Sequence, residues 1–199
     1  QDSKAIIEFS LDANYDDGSH GAGYYKGKRS PNWKLGDIYH STPLVVGKPP
    51  FNFSDGLFPK KYSDFKKAND ARTSLIYVGA NDGMLHAFDD SDGSEKFSVV
   101  PKNLLGNLRN IRLNHQFFVD SSPRMIDAYL WGKGQWGTVL VSGERSGGSY
   151  YYALDITDPS NPDVLWEMTD GNLGNTWSRP VMGVVTLGGQ NKFVAFAGG

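Results

Sequence analysis

The sequence predicts an all-β fold, a partial β-propeller built from blades of four antiparallel strands with loop insertions, and three observations carry that reading. Turn formers are in excess, with 24 Gly and 10 Pro among 199 residues, so short strands joined by tight turns are expected. A set of marks recurs in fixed order: Ser-x-Pro, an apolar strand closing on Gly, then Ala-x-Asp. Four short strands repeat, with insertions, at roughly the length of a propeller blade, which runs ~40–50 residues. A β-sandwich of similar strands is the competing architecture, but nothing in a sandwich makes those marks repeat in order.

Residues 1–35 are the least regular part, with one strand-like stretch over Ala5–Phe9 and a polar, Gly-rich run from Asp12 to Trp33, and read as a linker ahead of the propeller. Order begins at Gly36-Asp37 and passes through Ser41-Thr42-Pro43 into the apolar run Leu44-Val45-Val46. An insertion follows, from Pro49-Pro50 to Arg72, in which Tyr62–Ala68 is expected to form a short helix. Leu75–Gly79 reads as a buried strand, and Asn81-Asp82-Gly83 as a hairpin turn, with Asp-Gly meeting the positive φ demand of a type I′ turn. Met84–Asp89 pairs back, Asp92-Gly93 turns again, and Lys96–Val100 completes the first blade.

The second copy runs through Ser121-Ser122-Pro123, Thr138–Gly143, Tyr152–Asp155 and Val164–Met168. A third opens at Ser178-Arg179-Pro180 and extends to Phe193–Gly199. Two full blades and the start of a third therefore occupy residues 36–199. Propellers close with ~4–8 blades, and an open stack leaves apolar faces wet, so the segment is expected to belong to a longer protein.

Charge and composition narrow the function classes. Twenty Lys and Arg against 22 Asp and Glu give a net charge of −2, which does not suit nucleic-acid binding. No apolar run reaches the ~18 residues of a membrane span, and the opening Gln-Asp-Ser-Lys-Ala lacks the layout of a secretory signal. The absence of cysteine excludes disulfides, zinc–thiolate sites and thiol catalysis.

Several groups are candidates for chemistry. Gly132-Lys133-Gly134-Gln135-Trp136-Gly137 fits Gly-x-Gly-x-x-Gly, but the strand-like Thr138-Val139-Leu140-Val141 follows where a dinucleotide site needs a helix, so a hairpin turn is expected. His20, His40, His86 and His115 form no His-x-x-x-His pair, and packing or turn hydrogen bonds are expected of them. Asp37, Asp82, Asp89, Asp120, Asp127, Asp155 and Asp158 fall mostly at strand ends, where Asp side chains cap turn amides. The metal candidate is Asp12, Asn14 and Asp16, whose oxygens at alternate positions suit calcium. Its glycine, Gly18, comes one place late, and Gly23 stands where a closing Glu belongs. Asp155–Pro162 is a second oxygen-rich stretch that its two prolines make a rigid connector, and Trp131, Trp136, Trp166 and Trp177 are expected to pack between blades.

The ordered marks resemble the PilY/PilC proteins of type IV pili. Gly36–Pro43 followed by Tyr77–Asp89 carries the likeness, joined by Phe118-Val119-Asp120, Gly147-Gly148, Tyr151–Pro159, Leu165-Trp166-Glu167 and Leu173–Pro180. The resemblance implies the first part of the C-terminal propeller of a large exported protein at the pilus tip or outer cell surface. It implies roles in pilus biogenesis, in opposing retraction and in tip adhesion, with minor pilins and a host or surface receptor as partners. It also implies calcium, which members of the family bind through Asp/Asn-rich loops.

On this reading the protein is not an enzyme, and the long insertions at residues 48–73 and 102–117 are its contact surfaces. The alternative is a quinoprotein dehydrogenase on a related propeller, whose blades share the Ala-x-Asp and Trp look of Ala153-Leu154-Asp155 and Trp166. Such enzymes hold their quinone with calcium and commonly stack it on a vicinal disulfide, which a chain without cysteine cannot supply. A purely structural part of an extracellular assembly is the third class.

Overall fold

Residues 35–112 and 114–199 are described by a computed structural model. Among the described residues, ten strands form two four-stranded antiparallel sheets and one two-stranded sheet, each in plain sequence order. Blade 1 comprises β1 (Leu44–Val46), β2 (Leu75–Gly79), β3 (Leu85–Asp89) and β4 (Glu95–Val99). Blade 2 comprises β5 (Arg124–Leu130), β6 (Gln135–Gly143), β7 (Tyr151–Asp155) and β8 (Asp163–Met168). β9 (Val181–Leu187) and β10 (Gln190–Phe196) open the third repeat. The expected helix is present as α1 (Tyr62–Ala68), and a run of 3-10 turns, Lys102–Arg112, connects blade 1 to blade 2.

The repeat is visible in detail as well as in order. In both blades the ladder between the third and fourth strands slips directly after the alanine of Ala-x-Asp, between Ala87 and Phe88 and between Ala153 and Leu154. A bulge at the same place in two blades marks a shared local twist. The aspartate that follows caps its own turn in both copies. Asp89 accepts the Ser91 amide and hydroxyl at 2.9 and 2.6 Å, and Asp155 accepts the Thr157 amide and hydroxyl at 3.1 and 2.5 Å.

One turn differs from the sequence expectation. The β2–β3 loop is closed by the Ala80 amide on the Met84 carbonyl at 3.0 Å, leaving three residues, Asn81-Asp82-Gly83, in the loop. Only Gly83 has a positive φ, 96°, whereas a type I′ turn needs two such residues. The Asp82 carboxylate explains the preference, since it accepts the Met84 amide at 3.2 Å and holds a wider turn. The two-residue I′ chemistry is found instead between β9 and β10, where Gly188 and Gly189 have φ of 59° and 75°.

Strand alternation makes blade 2 a wedge with two buried faces. Leu140 on β6, with Tyr152 and Leu154 on β7, points toward blade 1 and joins Leu75, Tyr77, Leu85 and Ala87. Val139, Val141 and Ala153 point the other way and meet Met182 and Phe193 of the β9–β10 hairpin. That explains why Val139–Val141 and Tyr151–Leu154 read as continuous apolar runs rather than alternating ones. Leu85 and Leu140 are 0% exposed, and burial of such a side chain is worth ~1.5–3 kcal/mol. The connector adds Leu104, Leu108 and Ile111 to the same core. β9 and β10 are covered on one side only, leaving Val181 and Phe196 more than half exposed.

Candidate functional site

The Ser-x-Pro segments that precede the first strand of each repeat converge. Thr42 of blade 1 donates its amide to the Ser122 hydroxyl of blade 2 at 2.9 Å, and that hydroxyl donates to the His40 carbonyl at 3.2 Å. The His40 amide reaches Asp120 Oδ1 at 3.1 Å, and its Nδ1 lies 2.5 Å from Asp120 Oδ2. Arg179 of the third repeat extends Nη2 to the Thr42 hydroxyl at 3.4 Å, so equivalent segments of three repeats touch. Ser41 is used inside its own blade, accepting the Gly79 amide at 2.8 Å.

Serine, histidine and aspartate thus lie together, but not as a nucleophilic relay. A relay needs the hydroxyl hydrogen-bonded to the imidazole, and Ser122 bonds the backbone carbonyl of His40 instead. The buried Asp120 carboxylate holds a ring and an amide from the neighbouring blade. The chemistry of the seam is adhesion between blades.

The other histidines follow the same pattern. His86 is buried, with Nδ1 2.6 Å from Glu95 Oε1 and Nε2 3.1 Å from both oxygens of Asp82. Burial works against the imidazolium, but the bonds and charges of Asp82 and Glu95 outweigh it and raise the pKa above its ordinary value. His115 is exposed and lies 3.0 Å from Asp37, whose other partner is the Asn81 amide group at 2.7 Å. His20 lies outside the described residues.

Insertion 48–73 is tied down rather than free. Phe58, Tyr62, Tyr129 and Trp136 form a buried aromatic cluster, with Phe51, Phe53 and Phe193 packed on it. Beneath it, Asp127 in the middle of β5 accepts the Tyr62 hydroxyl at 2.6 Å and the Thr138 hydroxyl at 2.6 Å. Arg72 donates to Thr138 Oγ1 at 2.7 Å and to the Gly47 carbonyl. Burial raises the Asp127 pKa against the opposing pull of Thr138, Tyr62 and Arg72. The sequence expectation that the aspartates cap turns holds for Asp82, Asp89, Asp155 and Asp158. It fails for Asp120 and Asp127, which carry contacts between segments far apart in the chain. What remains outward on the insertion is mostly polar, with Lys60, Lys61, Asp64 and Lys67 exposed beside Leu57.

The tryptophans divide. Trp136 is 4% exposed and donates to the Lys60 carbonyl at 2.8 Å. Trp131, though 41% exposed, donates to the Asn191 carbonyl of β10 at 3.1 Å, and Trp177 stacks under the Arg145 guanidinium at 5.4 Å. Trp166, with Leu165, Met182 and Phe193, lines an apolar cleft of 370 Å³ between blade 2 and the β9–β10 hairpin.

Metal candidates fare as follows. Among the described residues, no group of three or more His, Cys, Asp or Glu is placed to hold a metal ion. The stretch Asp155–Pro162 borders a polar recess lined in part by Lys133, whose ammonium lies 2.8 Å from Asp155 and 2.7 Å from Asp163. Lys133 belongs to the Gly-x-Gly-x-x-Gly run, which forms the β5–β6 hairpin and no helix. Asp12, Asn14 and Asp16 lie outside the described residues. No helix among the described residues is long and apolar enough to cross a membrane.

Comparison with known proteins places this geometry. The model of the PilY1 beta-propeller domain matches residues 35–189. The type IV pilus biogenesis factor PilY1 of Pseudomonas aeruginosa is 39% identical over 166 residues, covering 77% of this chain and 14% of that protein. A PilY1 homolog of Xylella fastidiosa is 40% identical over 157 residues, covering 74% of this chain and 13% of the homolog. The crystal structure of the Pseudomonas aeruginosa PilY1 C-terminal domain superposes with a TM-score of 0.63 at 34% identity, over 77% of this chain and 30% of that one. The chain therefore spans about one seventh of the length of these curated relatives.

Proposed function

The chain belongs to the PilY1 β-propeller family, and on that premise we propose that it is a non-enzymatic docking module of type IV pilus biogenesis. Its place would be the pilus tip or outer cell surface, its roles biogenesis, control of retraction and adhesion. Minor pilins are its nearest partners, with a host or surface receptor beyond them. The observation that carries the reading is the use made of its polar groups. Ser122, His40, Asp120, Asp127 and His86 are spent on holding segments together, as a rigid presenting surface requires.

The same proposal assigns residues 1–35 to a segment ahead of the propeller and 36–199 to the propeller itself, and offers calcium to Asp12, Asn14 and Asp16. Alternate oxygen donors support that last assignment. Calorimetric titration of calcium into the protein and into an Asp12→Ala, Asp16→Ala double variant tests it, with loss of heat expected in the variant.

The functional reading is tested in cells. A bacterium whose own full-length homolog is replaced by one lacking residues 36–199 is expected to yield few surface pili on shearing. Turnover of alcohols or aldose sugars by the intact protein, with added quinone, calcium and a dye acceptor, would overturn the docking reading in favour of the dehydrogenase.

A further inference from the structure

We propose that Glu144 is a buried proton-binding group that locks the inter-blade connector Lys102–Arg112 onto blade 2, and that the connector's first turn is released as pH rises. Glu144 follows β6 and has no solvent exposure. Its Oε2 accepts the Tyr150 amide at a long 3.3 Å, and its Oε1 has no partner. The Asn103 side chain, from the connector, lies beside the same carboxyl. Gly148 makes the room, since a Cβ there would fall 2.0 Å from Oε2.

The neighbours from each packed element are as follows. β7 contributes Tyr152, whose buried hydroxyl also lacks a partner, and Tyr150 lies just before that strand. β8 contributes Glu167, whose Oε1 accepts the Lys102 amide at 2.6 Å. The connector contributes Lys102, whose side chain is exposed, and Asn103, whose Oδ1 is buried without a donor. Arg145 is next in the chain, but its guanidinium lies over Trp177. Thr176 is neutral and accepts the Glu144 amide at 2.8 Å. The charge that acts on the Glu144 carboxyl is Glu167, of the same sign.

A carboxylate buried without a countercharge is costly, whereas the neutral acid is tolerated. The neutral acid also carries an O–H, a donor of the kind that the neighbouring Asn103 Oδ1 lacks. Burial, aided by Glu167, pushes the Glu144 pKa up to about 7. Above that value two carboxylates grip the same turn of the connector. Lifting Lys102 and Asn103 away would then let water reach the Glu144 carboxylate.

The test is hydrogen exchange on the intact protein at pH 5.5 and 8.5, with amide rates corrected for intrinsic chemistry. Protection at the start of the 102–112 segment is expected to fall roughly thirtyfold across that interval if opening fully exposes the carboxyl. In Glu144→Gln, a permanent neutral acid, protection is expected to stay level. Equal protection at both pH values in the wild type would overturn the proposal, as would an equal loss in the variant. Should the variant fail to fold, carbon NMR of the wild-type Glu144 carboxyl decides. A titration midpoint near 7 supports the lock, and one below 5 overturns it.

Discussion

Asp127 shows how much one side chain holds in this molecule. It is fully buried in β5 and collects hydroxyl hydrogen bonds from Tyr62 and Thr138 while Arg72 stands by. Asp127→Ala would leave those donors without their acceptor and the half-buried Arg72 guanidinium without the Asp127 charge, and is expected to cost ~3–5 kcal/mol in urea unfolding. Tyr62→Phe removes one hydrogen bond and should cost ~1–2 kcal/mol. A loss below ~1 kcal/mol for Asp127→Ala would mean that the network is ornamental.

Histidine and glutamate give the residue scale its pH dependence. The His86 pKa is raised in the folded state, so its stabilising contribution is complete below the unfolded value of 6.5 and disappears as pH climbs through the folded one. Glu144 is also raised, from 4.5 to about 7, so the folded chain holds an extra proton between those values and loses stability as pH rises across them. Unfolding midpoints measured from pH 4 to 9 should therefore fall toward alkali. His86→Gln is expected to remove the fall above pH 6.5 and Glu144→Gln the fall below 7. A His86→Gln profile parallel to wild type above 6.5 would refute the first assignment.

At the scale of elements, the insertion and the close approaches between segments set the expectations. Phe58→Ala, inside the aromatic cluster, is expected to cost ~3–5 kcal/mol, and Trp177→Ala, 51% exposed, ~1 kcal/mol or less. Gly147→Ala would put a Cβ 1.8 Å from the Phe118 carbonyl, and should destabilise by at least ~2 kcal/mol, whereas Gly106→Ala meets nothing within 4 Å and should be neutral or slightly stabilising. Chemical denaturation ranks all four.

The strands were legible because a wedge buried on both faces writes itself as short apolar runs between turn residues, as at Val139–Val141. The connector was not, although Leu104, Leu108 and Ile111 carry helical spacing, because Gly106 and several polar residues between them read as loop. Asp127 was hidden for a different reason. Its partners Tyr62 and Arg72 lie 65 and 55 positions away, beyond any local pattern. Trp131 and Trp177 were expected inside and remain partly outside, their rings engaged at one edge or face.

Across the whole molecule, burial is graded. Blade 2 is covered by blade 1 and by the β9–β10 hairpin, while the hairpin is covered on one side. Hydrogen exchange is expected to find β6 and β7 slowest and β10 fastest among the strands, since local opening follows buried contact. The seam of Ser-x-Pro segments adds rigidity that no single blade provides, and a rigid, polar-rimmed body suits recognition. The central proposal is that this body binds pilus components and does no chemistry on them. Surface plasmon resonance of purified minor pilins over the immobilised protein tests that claim most directly. Saturable binding to the folded wild type is expected, weakened in Gly147→Ala to the extent that the variant is unfolded at the temperature of the measurement. No saturable binding by the folded wild type would contradict the proposal.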